Sequence, residues 1–126
     1  MILLDTHALI WWIEESPKLS RKAKAHIEKE SREGLLLISS ISVWEIALLI
    51  KKERLQLTMD MESWLAKIES LPFVQFVPVD NMIAAKSVIL QETLHADPAD
   101  RIIIATAREK GALLITGDEK IQKYPH

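Results

Sequence analysis

The sequence contains no cysteine and only three glycines in its 126 residues. Without cysteine, neither a disulfide framework nor a thiolate zinc site is available, and the reducing interior of the cytoplasm suits the chain. No glycine-rich turn follows the first apolar segment, so the sequence lacks the backbone cradle with which dinucleotide-binding folds hold phosphate. We therefore expect a cytoplasmic protein and exclude a dinucleotide-binding domain.

The sequence also lacks long apolar runs and an excess of basic residues. No run approaches the roughly 20 apolar residues that span a bilayer, and residues 1–5 carry no basic leader, so we expect no membrane association. A formal net charge of −2 gives no broad basic surface, and any contact with nucleic acid must therefore be local. The candidates for local positive charge are Lys51, Lys52 and Arg54, the lysines from Lys18 to Lys24, and Arg101.

Short apolar segments alternate with helical patterns along the whole chain. We predict strands at 2–4, 35–38, 73–79 and 113–115, and helices at 6–13, 20–32, 43–52, 61–70, 81–93 and 98–110, with a last turn of helix from Asp118. The helix at 43–52 is so apolar that we expect it to be largely buried. This order predicts a single domain over residues 1–126, an α/β three-layer sandwich whose mainly parallel four-stranded sheet has helices on both faces.

Acidic side chains follow the strands of this predicted sheet. Asp5 comes directly after the first strand, Glu45 is predicted in the first turn of the helix after the second, and Asp118 follows the fourth. Asp100 lies in the first turn of the helix that starts at Pro98. Because ligands of open parallel sheets collect outside the carboxyl ends of the strands, we expect these acids to meet at one edge.

Each acid also has an ordinary structural explanation. A carboxylate at a helix start caps free N–H groups and favours the helix dipole. The spacing from Ser42 to Glu45 matches a capping box, and the spacing from Asp97 to Asp100 does so too, which makes Asp97 the simplest cap of its helix. Several acids at one edge are harder to explain by capping, because like charges about 4 Å apart repel by about 4 kcal/mol at an effective dielectric near 20.

A cation would relieve that repulsion. An all-oxygen cluster without cysteine suits Mg²⁺ or Mn²⁺, and such ions act on phosphate esters in nucleases. The acids therefore indicate metal-dependent phosphodiester chemistry.

The ordered motifs resemble those of the PIN-domain family, and most closely the VapC-type toxins of toxin-antitoxin pairs. They are Met1-Ile-Leu-Leu-Asp5-Thr6, Ser42-Val-Trp-Glu45, Asp97-Pro-Ala-Asp100-Arg101 and Leu114-Ile-Thr116-Gly117-Asp118, and together they span nearly the whole chain. The resemblance implies Mg²⁺- or Mn²⁺-dependent cleavage of RNA by a homodimer that a cognate antitoxin protein blocks. The family often has a further short strand after these motifs, whereas this sequence stops at His126, which leaves the edge of the sheet open.

The resemblance also assigns roles to individual residues. Asp5, Glu45 and Asp100 correspond to the metal-holding acids, and Asp118 corresponds to a fourth acid that completes the site or orders its water. Thr6 and Thr116 correspond to hydroxyls that support these acids. We prefer Asp100 over Asp97 because Asp100 directly precedes the apolar run of its helix, and we keep Asp97 as a contributor.

Other residues and functions compete with this interpretation. For His7 and His95, we prefer a role as polar neighbours to a role as ligands. For the tryptophans, we prefer core or partner contacts to base-stacking surfaces. One rival function is a non-catalytic PIN-like module that binds RNA or protein. Another is a phosphatase that uses Asp5 as a nucleophile, but its class requires a second aspartate where this chain has His7.

Overall fold

The computed structural model describes residues 1–90 and 97–117, together with the backbone of residues 121–122. Its strands are β1 (Ile2–Leu4), β2 (Leu36–Ser39), β3 (Val74–Val77), β4 (Leu113–Ile115) and β5 (Ile121–Gln122). Its helices are α1 (Thr6–Ile13), α2 (Arg21–Glu33), α3 (Ser40–Lys51), α4 (Met61–Glu69), α5 (Asn81–Ile89) and α6 (Pro98–Lys110).

The strands form one five-stranded sheet in the order β3-β2-β1-β4-β5. Strands β1 to β4 are parallel, with Leu3 opposite both Leu37 of β2 and Leu114 of β4. The predicted parallel four-stranded sheet is therefore confirmed. The short strand β5 pairs antiparallel with β4 and adds one strand to the four that were predicted, so the last turn of helix predicted from Asp118 does not extend to residues 121–122.

Alternate residues of each strand enter different cores, which produces the predicted three layers. Ile2 and Leu4 of β1 pack into a core with α1, α2 and α4, whereas Leu3 between them packs into a second core with α5 and α6. All three side chains are at most 2% exposed. A parallel strand covered on both faces must be apolar at every position, which explains the uninterrupted apolar segments of the sequence.

The ends of most helices lie at the signals that the sequence gives. Ser20 accepts a hydrogen bond from the backbone N–H of Ala23 and caps α2, and Gly111 ends α6 in the left-handed conformation at φ 65°. Helix α5 ends at Ile89 rather than at the predicted residue 93, because Leu90 is already extended. Among the described residues, no helix is long and apolar enough to cross a membrane.

Helix α3 differs from its prediction at its start and in its burial. Its cap is Ser39, the last residue of β2, whose hydroxyl accepts a hydrogen bond from the N–H of Ile41. The helix thus begins earlier than the predicted residue 43, and Glu45 lies in its second turn rather than its first. Only Ser42 and Ile46 are buried, and Trp44 is 58% exposed, so the expectation of a largely buried helix was wrong.

The side chain of Glu14 connects α1 to α4 and to the segment before it. Its carboxylate accepts hydrogen bonds from the backbone N–H and the hydroxyl of Thr58, at 2.8 and 2.9 Å. It also accepts one from the indole N–H of Trp64 at 3.2 Å. Trp64 is fully buried, so this bond removes the cost of leaving its only donor unpaired in the core.

Glu30 connects α2 to the start of β1. Its carboxylate lies 2.5 Å from the amino group of Met1 and accepts a hydrogen bond from the N–H of Leu35 at 3.5 Å, and the residue is 8% exposed. The hydrogen bond to the Met1 ammonium lowers the pKa of Glu30 below its ordinary value. The charged form of Glu30 therefore stabilises the folded protein.

We expect Glu30→Gln to lower the free energy of unfolding by about 1 kcal/mol at neutral pH. Because the folded pKa is lowered, the contribution is present above the ordinary value of 4.5 and is lost as the pH falls through the folded pKa. Urea unfolding of the wild type and the variant at neutral and acidic pH measures this difference. Glu33→Gln, at an exposed position of the same helix, is the control, and an equal loss in both variants would contradict the prediction.

Candidate active site at the carboxyl edge of the sheet

Asp5 lies where β1 ends and α1 begins. Its backbone N–H donates to the carbonyl of Ile115 at 3.0 Å, which fixes it beside the end of β4. Its carboxylate Oδ1 accepts the N–H of Ala8 at 2.9 Å and so caps α1, and its Oδ2 accepts the N–H of Gly117 at 3.0 Å. Asp5 thus has the capping role that the sequence allowed, while its second oxygen connects two strand ends.

Glu45 is held by the hydroxyl of Thr6, the residue that follows Asp5. The hydroxyl of Thr6 donates a hydrogen bond to Oε1 of Glu45. The hydroxyls of Thr6 and Ser42 lie 3.0 Å apart and share a hydrogen bond, and both residues are buried. Thr6 therefore supports an acid, as the resemblance implied, and Ser42, which the sequence presented as a helix cap, is part of the same buried network.

Asp97 and Asp100 stand at the start of α6. The carboxylate Oδ1 of Asp97 accepts the backbone N–H groups of Ala99 at 2.8 Å and Asp100 at 3.4 Å. The prediction that Asp97 caps this helix is confirmed. Asp100 is half-buried in the first turn of the helix, whereas Asp97 is exposed.

The electrostatics of Asp5 and Glu45 indicate that the acids share one environment. Burial raises the pKa of Asp5, and the negative charge of Asp100 raises it further, against the N–H donors of Ala8 and Gly117 and the charge of His7. Burial likewise raises the pKa of Glu45, where the Thr6 hydrogen bond opposes it and the charges of Asp100 and Asp97 add to it. Asp100 is therefore close enough to both Asp5 and Glu45 for its charge to raise their pKa values.

The remaining predicted site residues follow β4. Thr116 is half-buried and lies in sequence between Ile115 and Gly117, which both hydrogen-bond Asp5. Asp118 lies outside the described residues, as does His95. Among the described residues, the acids at the carboxyl edge of the sheet, which we call the acid edge, are Asp5, Glu45, Asp97 and Asp100.

A metal ion would have to be held by these oxygens. Within residues 1–90 and 97–117, no group of three or more acids or histidines is arranged to hold a metal ion by direct ligation alone. Mg²⁺ usually keeps several waters and binds protein through one or two carboxylates, so it does not need such a group. Asp5 and Glu45, whose charged forms burial disfavours and the charge of Asp100 disfavours further, are oxygen donors that fit a hard divalent cation.

His7, Trp11 and Gly117 form contacts beside the acids that sequence reasoning missed. The imidazole of His7 and the indole of Trp11 have ring centroids 5.9 Å apart. A Cβ atom built on Gly117 would lie 2.7 Å from the Cβ of His7 and 3.3 Å from the Trp11 ring. Spacing within α1 places His7 and Trp11 on one helix face, but only the sheet brings Gly117 against them.

Arg101 has a different role from the expected contact with nucleic acid. Its guanidinium donates through Nε to the carbonyl of Ser87 at 2.9 Å. It also donates through Nη2 to the carbonyls of Val88 at 3.1 Å and Leu90 at 2.7 Å. Arg101 thus satisfies carbonyls at the end of α5 and holds that end against α6.

We expect Arg101→Lys to lower the free energy of unfolding by about 2 kcal/mol, because an ammonium group keeps the charge but cannot reproduce the guanidinium fork. Chemical denaturation of the metal-free protein measures the change. The matched control is Arg32→Lys at an exposed position of α2. A loss that is no greater at Arg101 than at Arg32 would contradict this role.

Comparison with known proteins places the chain in a family. The PIN domain family model matches residues 2–126. The chain is 37% identical to Ribonuclease VapC22 of Mycobacterium tuberculosis over 125 residues, which cover 99% of this chain and 92% of the relative. The fold is an α/β sandwich, and the candidate site is a set of acids at the carboxyl edge of its sheet. The chain belongs to the PIN-domain family, which confirms the family resemblance.

Solved structures of toxin-antitoxin complexes have the same fold. One from Klebsiella pneumoniae superposes with a TM-score of 0.62 at 27% identity and covers 92% of this chain and 85% of that chain. VapBC2 from Rickettsia felis, bound to a DNA fragment from its promoter, superposes with a TM-score of 0.63 at 20% identity and covers 90% and 85%. These similarities confirm the predicted PIN-like sandwich.

Proposed function

We propose that this protein is a metal-dependent ribonuclease and the toxin of a toxin-antitoxin pair. The observation that carries the proposal is a set of acids at the carboxyl edge of a PIN-family sheet. Gly117 and Thr6 hold the carboxylates of Asp5 and Glu45, and the charge of Asp100 raises the pKa of both. The relationship to a protein named as a ribonuclease supports hydrolysis of RNA phosphodiester bonds. The structural similarity to toxin-antitoxin complexes supports a protein antitoxin as the partner.

Asp5, Glu45 and Asp100 are the residues that would hold Mg²⁺ or Mn²⁺, with Asp118 as a fourth acid. A bound divalent ion polarises the phosphate and activates water. Thr6 fixes the rotamer of Glu45 through its hydroxyl, so this carboxylate is oriented before any substrate arrives. Thr116 has a supporting position beside β4, and Asp97 adds negative charge near Glu45.

Both carboxylate oxygens of Asp5 are held by backbone donors. Each of its oxygens accepts a backbone N–H, from Ala8 and from Gly117, so the carboxylate cannot rotate without losing a bond. Its remaining lone pairs stay available to a cation, because a carboxylate oxygen accepts more than one interaction. The rival phosphatase is disfavoured because its class requires a second aspartate where this chain has His7.

The proposed toxin is a single domain that acts in the cytoplasm, where its RNA substrates and its antitoxin are found. We propose a homodimer with one acid site in each subunit. The exposed apolar side chain of Trp44 on α3, 58% accessible in the isolated chain, supports an interface with another protein chain.

Cleavage of RNA by the purified protein tests this function. We expect total RNA to be cut in Mg²⁺ or Mn²⁺, and the cutting to be eliminated by EDTA and by Asp100→Ala. Circular dichroism of the variant verifies that it is folded. A folded wild type, freed of antitoxin, that cuts no RNA under either metal would favour the non-catalytic binding module instead.

A further inference from the structure

An aromatic surface adjoins the acids, and the proposed hydrolysis does not itself use it. We call it the aromatic platform and define it by His7, Trp11 and Lys18. His7 is exposed and Trp11 is half-buried, with their ring planes tilted by 56°. The ammonium group of Lys18 lies 5.9 Å from the centroid of the Trp11 ring, within range of a cation–π interaction.

The platform is continuous with the acid edge. Gly117 donates its N–H to Asp5 on one side, and on the other side a Cβ at Gly117 would meet His7 at 2.7 Å and Trp11 at 3.3 Å. One glycine thus separates the Asp5 carboxylate from the aromatic rings. His7 is also close enough to Asp5 and Glu45 for its charge to oppose part of the rise in their pKa values that burial causes.

Trp11 and Trp12 are both half-buried, but Trp11 has different neighbours from Trp12 and Trp64. Trp64 is fully buried with its indole N–H bonded to Glu14, and Trp12 packs against Phe73 with ring centroids 6.1 Å apart. Trp11 instead faces the exposed His7 and a lysine. A half-buried indole beside a cation and next to a phosphodiester site has the parts of a nucleotide-binding surface: a ring for the base and a charge for the phosphate.

We propose that the aromatic platform binds one unpaired nucleotide of the RNA substrate, with its base stacked on Trp11 and a flanking phosphate near Lys18. This inference rests on the proposed ribonuclease function and names the residues that position its substrate. With a net charge of −2, the protein cannot hold RNA by bulk attraction, so stacking and a local cation must supply the binding. Stacking is tolerant of sequence because every base has an aromatic face.

The test compares Trp11→Leu, Trp11→Phe and Trp12→Leu on one short single-stranded RNA of mixed sequence. Leucine keeps apolar bulk in the packing of α1 but removes the ring, whereas phenylalanine keeps a smaller ring. Cleavage kinetics are measured in Mg²⁺, and binding of the same RNA is measured in EDTA by fluorescence anisotropy. Thermal unfolding confirms that each variant is folded.

We expect Trp11→Leu to raise KM and the metal-free Kd about tenfold, and to change kcat by less than about threefold, because stacking is lost without disturbing the acids. Trp11→Phe is expected to restore most of the affinity, and Trp12→Leu to behave as the wild type. Unchanged KM and Kd in folded Trp11→Leu would overturn the proposal, as would an equal effect at Trp12 or a loss confined to kcat.

The outcomes also separate the platform from the ribonuclease function. If the wild type binds the RNA in EDTA and Trp11→Leu weakens that binding, the platform stands even when no cleavage occurs. If the wild type binds no RNA, the platform is overturned. If Trp11→Leu keeps its RNA kinetics but loses its co-expressed antitoxin, the surface is a protein contact and the proposal is overturned.

Discussion

Replacing Glu45 with glutamine is expected to reduce RNA cleavage at least about a hundredfold while the protein stays folded. Changes in residues that only support metal ligands cost about 10- to 100-fold, and a lost ligand costs more. The amide oxygen of glutamine can still accept the hydrogen bond from Thr6, so the geometry around Ser42 is preserved. The loss is therefore attributable to the missing negative charge.

The same substitution should not destabilise the metal-free protein. Burial and the charges of Asp100 and Asp97 raise the pKa of Glu45, which means that its charged form is disfavoured in the folded state. A group with a raised folded pKa stabilises most when protonated, and this contribution is lost as the pH rises through the folded pKa. At neutral pH in EDTA, Glu45→Gln should therefore unfold at the same temperature as the wild type or a higher one. Below the ordinary value of 4.5 the two proteins should converge.

Kinetics and thermal unfolding on the same preparations separate these effects. Glu62→Gln, at an exposed position in the first turn of α4, is the matched control and should change neither quantity. A Glu45 variant that cleaves RNA at the wild-type rate would remove Glu45 from the site. One that loses activity only because it is unfolded would place the residue in the fold rather than in the chemistry.

Local signals in the sequence predicted the elements whose ends are set by a few neighbouring residues. The apolar run of β1 and the acid after it predicted the strand and the start of α1, because Asp5 directly follows the strand and caps the helix. Asp97 with Pro98 gave the start of α6, and Gly111 gave its end through a left-handed conformation that glycine adopts without strain.

The start of α3 could not be predicted from local sequence, because it depends on how the strands pair in the sheet. Ser39, Ser40 and Ser42 all lie at or next to the start of α3, and each is chemically able to cap a helix. Pairing of Ser39 with Val77 keeps that residue in β2 and makes it the cap, which frees Ser42 to bond Thr6. The choice among the serines is thus made by strand register, which a local pattern does not contain.

Some features of the candidate site could be predicted from local sequence, and others depend on how the elements pack. The ordered acids indicated Asp5, Glu45 and Asp100 because the carboxyl ends of parallel strands share an edge. The contact of Gly117 with His7 and Trp11 depends on how closely the end of β4 approaches α1. Arg101 lies beside an acid in sequence, but its carbonyl partners come from α5, so its role follows from the packing of two helices.

Gly117→Ala is expected to lower the free energy of unfolding by about 1–3 kcal/mol and to reduce cleavage at the same time. Gly117 does not have a positive φ, so alanine is compatible with its backbone and only the close approach matters. The added Cβ would lie 2.7 Å from the Cβ of His7, an atom fixed to the backbone of α1 that cannot rotate away. The end of β4 and α1 must therefore separate, at the usual cost of overpacking. That separation also lengthens the hydrogen bond from Gly117 to Asp5.

A double-mutant cycle isolates this contact. His7→Gly removes the opposing Cβ, so the pair His7→Gly and Gly117→Ala should be more stable than the sum of the single effects predicts. Urea unfolding of the four proteins measures the coupling, and cleavage rates measure whether Asp5 regains its position. Additive losses would show that the two Cβ positions do not compete. Recovery of stability without recovery of cleavage would mean that the site needs the His7 side chain itself, as the aromatic platform requires.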